Sequence, residues 1–185
     1  MTALVMCACA QTRSTPANPE IEDLTRWRQF GEPVWRFVPG GVEAGPGEQT
    51  GYLVSRVSYG DFRLRAEFWI EDETNSGIFW RCKEPASAAD INPNNCYEAN
   101  IWDNHPNQDS RTGSIVTLAT AEVRVDTLGR WNQYEIVASG TSIRVTLNGQ
   151  KVASIENDRA AGGYLALQYA GKALLRFRNV EVEAL

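Results

Sequence analysis

Residues Phe62 to Ile70 alternate without a break: Phe62, Leu64, Ala66, Phe68 and Ile70 take one parity, and Arg63, Arg65, Glu67 and Trp69 the other. Successive side chains of a strand point to opposite faces, so this is a strand with one face in a core. Its other face is polar and carries one exposed aromatic, Trp69. Such a strand needs partners, and the chain supplies them. Strand patterns lie at Trp35–Val38 and Tyr52–Ser55, either side of the Gly/Pro-rich stretch Gly40–Gly51, then at Gly77–Arg81, Tyr97–Trp102, Ser114–Leu118 and Glu122–Val125. Trp131–Ser139 and Thr141–Leu147 form a hairpin around Ser139-Gly140, and Asn148-Gly149 signals a tight turn into Lys151–Ile155. Tyr164–Tyr169 and Leu174–Glu183 follow, the latter broken near Asn179, while Ile21–Trp27 allows one helical turn at most. Strands at this spacing with no helices between them predict an all-β antiparallel two-sheet sandwich, one domain over residues 20–185.

The net charge of −5 and the lack of any Lys/Arg block argue against nucleic-acid binding. The apolar start Met1–Ala10, with small residues Ala8 and Ala10, is followed by the polar stretch Gln11–Pro19. Residues 1–19 therefore read as a signal- or lipoprotein-like or disordered segment, and the protein as exported to the periplasm, outer envelope or exterior. Cys7 and Cys9 are candidates for a lipid anchor, although neither follows the usual pattern of small residues. Cys82 and Cys96 flank the polar loop Lys83–Asn95 and suggest a disulfide, with two separate buried thiols as the alternative. One His and no CxxC pair argue against zinc.

The chemistry concentrates between Asn75 and Gly113. In Tyr97–Asp103, alternation puts Tyr97, Ala99 and Ile101 on a core face and Glu98, Asn100 and Trp102 on the other. A carboxylate, an amide and an indole on one strand face suit a sugar. The first two hydrogen-bond vicinal hydroxyls, and the indole packs on the pyranose C–H face. The bland alternative is a solvated face with an incidental Trp. The polar loop beyond holds His105, the one histidine, near Glu98 and Asp103 in sequence. Its side-chain type titrates nearest neutrality, as proton transfer requires. Asp103, with Asn104 or Asp109, is a weak candidate for a divalent cation such as Ca²⁺. Arg81, at the end of the strand after Asn75-Ser76-Gly77, could stabilise a developing oxyanion or pair with an acid for structure alone. Directly opposed cysteines would put Trp80 across from Glu98, and whether Trp80 or Arg81 shares the Glu98 face stays open.

These residues resemble the 3-keto-disaccharide hydrolase domain family. The resemblance runs from about Asp23 to Leu185 and includes Trp35-Arg36-Phe37, Gly60-Asp61-Phe62, Asn75-Ser76-Gly77-Ile78 with Arg81, and Tyr97-Glu98-Ala99-Asn100-Ile101-Trp102-Asp103. Thr112-Gly113-Ser114-Ile115, Trp131-Asn132, Leu147-Asn148-Gly149, Leu167-Gln168 and Phe177-Arg178-Asn179-Val180 complete it. It implies a concanavalin A-like, laminin-G-like jelly roll that cleaves glycosides carrying a ketone at C3. Under it, Glu98 or His105 is the candidate base, and Arg81 or a cation at Asp103 the enolate stabiliser. Asn75, Trp80, Asn100, Trp102 and Gln168 are candidate sugar contacts. Two positions differ from the family: Asn100 where members often carry Gln, and Ala170-Gly171 where they often carry His-Gly. The competing expectations are a non-catalytic carbohydrate-binding module and an envelope protein–protein interaction domain.

Overall fold

The computed structural model describes residues 24–32 and 34–185. Segment 1–19, with the anchor candidates Cys7 and Cys9, lies outside the described residues, as does the start of the expected helical turn. What is described of that turn is one turn of 3-10 helix, Leu24–Arg26.

Twelve strands follow: β1 (Trp27–Gly31), β2 (Trp35–Val38), β3 (Gly41–Ala44), β4 (Gly51–Tyr59), β5 (Phe62–Ile70), β6 (Ser76–Cys82), β7 (Tyr97–Ile101), β8 (Trp131–Ser139), β9 (Ser142–Leu147), β10 (Gln150–Glu156), β11 (Gly163–Tyr169) and β12 (Leu175–Ala184). They form two antiparallel sheets, one of five strands in the order β1-β4-β11-β6-β7 and one of seven in the order β10-β9-β8-β5-β12-β3-β2. This is the two-sheet jelly-roll sandwich expected from the sequence. The inner faces supply the core. Phe62, Leu64, Ala66, Phe68 and Ile70 of β5 are buried against Leu53, Ile78, Ala99 and Leu167 of the other sheet. Each large apolar side chain sealed there contributes roughly 1.5–3 kcal/mol by leaving water.

Two expected strands do not form. Around Ser114–Leu118 the Leu118 and Ala119 amides donate back to the Ile115 carbonyl and Thr117 takes a φ of 65°, so the chain reverses at once. Ile115 keeps isolated bridges to Ala99 and Ala119, and Glu122–Val125 runs as irregular chain. Conversely, β1 and β3 have no clean alternation in sequence. In β1 the outward residues are Arg28 and Phe30, so neither parity is uniformly apolar. The break expected near Asn179 is real. The β12–β5 register shifts between Arg178 and Glu181, and Asn179 sits in the left-handed region at φ 49°.

Candidate functional site

The outward face of the five-stranded sheet follows from its register. Phe30 pairs with Tyr52, Tyr52 with Gln168, Gln168 with Gly77, and Gly77 with Asn100. The adjacent outward row is Arg28, Val54, Ala166, Phe79 and Glu98. Asn75 and Ala170 continue the ladder one step beyond the strand ends, where the Ala170 amide donates to the Asn75 carbonyl at 2.9 Å. Glu98, Asn100, Gln168 and Asn75 thus come together on one face, as alternation predicts.

Half of this face is roofed. The segment between Cys82 and Cys96, which are joined by a disulfide, folds over the second outward row. Its Ile91 packs with Tyr52, Val54, Phe79, Ala166 and the two cysteines in a second apolar cluster. The roof is tied down by Arg28 to Glu84 at 3.3 Å and by Arg159 to the carbonyls of Pro93 and Cys96.

Glu98 lies against this apolar ground. It is 6% exposed, and burial pushes its carboxyl up to about 8, because the charged form loses water and gains no compensating donor among the described residues. Although Glu98 pairs with Phe79, its carboxyl leans over Gly77. A Cβ built on Gly77 would come within 2.5 Å of Glu98 Oε1. The glycine of Asn75-Ser76-Gly77 therefore clears space for the acid. In the same row, Gln168 Nε2 donates to the Tyr52 hydroxyl at 3.2 Å, leaving the buried Gln168 Oε1 without a partner. Burial first, then the Glu98 charge, raises the Tyr52 pKa, while the bond from Gln168 works the other way.

Other candidates take different places. Asn100 is occupied by its surroundings: Nδ2 donates to the Ser110 carbonyl, and Oδ1 accepts the Ile101 amide at 2.9 Å. Trp102 follows β7, and its ring meets the His105 ring edge-on with centroids 4.5 Å apart. His105 Nδ1 lies 2.7 Å from the Asn107 carbonyl and 3.0 Å from the Asn107 amide, which fastens the ring to its own loop.

Four expectations are corrected. The residue opposite Glu98 is Phe79, not Trp80 or Arg81. Trp80 points into the sandwich, fully buried and stacked on Tyr97 at 5.8 Å, so it cannot contact sugar on the outer face. Arg81 is the extra residue of a bulge, with φ 50° and a register shift on the β11 side. The bulge returns Cys82 to the outward face and carries Arg81 away from it. The Arg81 guanidinium, fully buried, donates to the Gly140 and Ala160 carbonyls at 2.9 and 3.0 Å and pairs with Asp61 at 3.0 Å. It ties loops together instead of facing an oxyanion. Asp103, 3% exposed, accepts the Thr127 amide at 2.6 Å and the Thr127 hydroxyl at 2.8 Å, with Arg111 at 3.8 Å. Both oxygens are turned to donors, an arrangement for holding a loop and not a cation. Among the described residues no group of three or more His, Cys, Asp or Glu is arranged for a metal.

Sequence reasoning missed Tyr52, Phe79 and the positioning role of Tyr134. Tyr134 rises from β8, fully buried, donates to the Asn100 carbonyl at 2.7 Å and accepts the Gly113 amide at 2.7 Å. It pins β7 from inside the sandwich. Its hydroxyl needed the pairing of the two sheets to be seen, and nothing local in the sequence signals it.

Comparison with known proteins agrees with this architecture. Two candidate glycosyl hydrolases of Parabacteroides distasonis superpose with TM-scores of 0.76 and 0.75, at 18% and 23% identity. The first match covers 89% of this chain and 90% of the other, and the second 92% and 100%. The carbohydrate binding module CBM66 of Bacillus subtilis superposes with a TM-score of 0.68 at 19% identity, over 90% of this chain and all of the module. None of the curated proteins compared matches the chain. Residues 20–183 match the model of the 3-keto-alpha-glucoside-1,2-lyase-like domain. The chain belongs to that domain family.

Proposed function

We propose that the protein cleaves glycosides carrying a ketone at C3, with Glu98 as the base that takes the C2 proton. Family membership supports a carbohydrate-related function. The observation that carries the finer reading is the Glu98 carboxyl, buried, without a donor and raised to about 8, on a sheet face beside Gln168 and Tyr52. A carboxylate of raised pKa is a stronger base than an ordinary glutamate, and one near the working pH still populates its basic form.

The chemistry balances in two stages. A ketone at C3 acidifies the C2 hydrogen, and its removal places the electron pair in an enolate. As the ketone re-forms, the C1=C2 bond forms and the C1–O bond breaks, and the leaving group departs with a proton as an alcohol. Water then adds across C1=C2, hydroxyl to C1 and hydrogen to C2, for a net hydrolysis. The Tyr52 hydroxyl accepts from Gln168 and keeps its own proton free to donate, so it is the group we assign to the enolate oxygen. Burial keeps that hydroxyl protonated. His105, packed on Trp102 beyond the end of β7, is assigned to the leaving-group proton. Trp102, Gln168 and Asn75 are assigned to the sugar.

The test is release of a chromogenic aglycone from a 3-keto-glucoside by the purified protein. Wild type should release it, and Glu98→Gln should lose at least about 10²-fold, within the range a general base contributes. Unchanged release by Glu98→Gln would remove Glu98 from the mechanism. One observation favours a second reading, a non-catalytic carbohydrate-binding module. Ala170, in the outward ladder beside Asn75, stands where the resemblance places a histidine. Saturable glycan binding with no release from any keto-glycoside would select it. The buried Cys82–Cys96 disulfide supports an exported location for either reading.

A further inference from the structure

The aromatic on the polar parity of β5, Trp69, expected to be exposed, is half-buried and belongs to a row that the Glu98 face does not use. On the outward side of the seven-stranded sheet, Arg36 pairs with Glu43, Glu43 with Arg176, Arg176 with Trp69, and Trp69 with Trp131. The side chains interlock along this row. Glu43 bridges Arg36 at 3.0 Å and Arg176 at 3.4 Å, and the Arg176 guanidinium lies 5.1 Å from the Trp69 ring centre. Arg178 pairs with Glu67 at 2.7 Å and covers one face of Trp131 at 3.9 Å. A cleft of about 330 Å³ opens here, walled by the Pro39-Gly40 turn and Trp131, with Arg176 and Arg178 on its lining.

Three features make this cleft more than a solvated sheet face. Trp131 is 37% exposed although one face is already covered by Arg178, so the remaining indole surface is open to a ligand. Arg176 shares its one counter-ion, Glu43, with Arg36, while Arg178 is paired with Glu67, so the charge of Arg176 is only partly compensated. Arg176 spends its Nε on Glu43, while its two terminal nitrogens make no hydrogen bond among the described residues. The salt bridges also hold both guanidiniums in place before any ligand arrives.

We infer that this cleft is a second glycan site, lying on the opposite sheet from Glu98 and taking a carboxylate-bearing sugar, a hexuronate unit of an acidic glycan. The pyranose C–H face packs on Trp131, and the carboxylate takes the free fork of Arg176. A planar carboxylate matches that fork. A neutral hexose would offer no anion to that partly compensated guanidinium.

The experiment is calorimetric titration of the whole protein with trigalacturonate and, separately, with its methyl ester, which keeps the sugar and removes the charge. Trigalacturonate should bind at least about tenfold more tightly than the ester, and more weakly as salt rises. Arg176→Gln and Trp131→Ala should each weaken it by about tenfold or more, while Glu98→Gln leaves it unchanged. Equal binding of acid and ester, no binding of either, or unaltered binding by Arg176→Gln overturns the inference. Loss of binding in Glu98→Gln overturns it too, by moving the uronate to the other sheet. Turnover of a 3-keto-glucoside is not part of the readout, so this site and the Glu98 reading fail separately.

Discussion

Glu98 and Gly77 form one device. The acid can lean over the sheet only because position 77 has no side chain, and Gly77→Ala would drive a methyl group to 2.5 Å from its carboxyl oxygen. The far end of a glutamate can move, so the fold should survive while the carboxyl is displaced. A displacement of about 1 Å can cost on the order of 10²-fold in rate. Gly77→Ala is therefore expected to keep a near-wild-type melting temperature and to lose turnover of a 3-keto-glucoside. Glu98 also sets a pH dependence of stability. In the unfolded chain it titrates in the ordinary range near 4.5, and in the fold near 8. Below that window the carboxyl is neutral in both states. Within it the unfolded chain releases the proton and the fold retains it, so stability falls as pH rises and levels off above the folded value. Glu98→Gln should thus be a few kcal/mol more stable than wild type near pH 8, with the gap closing near pH 4. Denaturant titrations at the two pH values measure this, and equal midpoints at both would contradict it. Arg81 is the contrasting residue. Arg81→Leu leaves the Gly140 and Ala160 carbonyls without their donor, while the exposed Asp61 keeps the Gly140 amide. The expected loss is roughly 1–3 kcal/mol of stability for each carbonyl left unpaired, with kcat unchanged for the molecules that remain folded.

At the scale of elements, β6 shows why part of the site was unreadable. Its sequence, with Ile78, Phe79 and Trp80 in a row, has no apolar/polar alternation, and all seven of its residues are buried, because the sandwich covers one face and the disulfide-closed segment the other. Burial on both sides removes the polar parity that assigns faces. The bulge at Arg81 then shifts parity by one residue, and a bulge leaves no local mark unless a residue such as Asn179 advertises it. On β7, by contrast, Glu98 and Asn100 stand out against Tyr97, Ala99 and Ile101, so that face was legible. The roof packs on Phe79, the residue paired with Glu98. Replacing Cys82 and Cys96 together by Ser opens a loop of sequence separation 14. By the chain-entropy account that costs about 3 kcal/mol. A looser roof admits water to the carboxyl, so the titration of Glu98 should move down toward the ordinary glutamate range. A carboxyl-carbon NMR titration of the double variant checks this, and an unmoved midpoint would show that the roof does not cause the shift.

Over the whole molecule, the two proposed sites lie on opposite sheets. The sandwich itself was legible because β5, β8, β9 and β12 carry strong alternation and the hairpin at Asn148-Gly149 has its own turn chemistry. What the sequence could not supply was the strand order, and with it the neighbours of Glu98. Tyr52 on β4 and Gln168 on β11 lie 116 positions apart and meet only because β11 inserts between β4 and β6. On the proposed reading, Glu98 is a base of raised pKa on that face. The direct measurement is the pH dependence of kcat/KM for a 3-keto-glucoside, in wild type and in Glu98→Gln. Wild type should climb about tenfold per pH unit, bend near 8, where the carboxyl is half ionised, and flatten above it. Glu98→Gln should show neither the rate nor the inflection. A wild-type profile flat from pH 5 to 9 (roughly the range over which such a base ionises), or the same inflection surviving in Glu98→Gln, would contradict it.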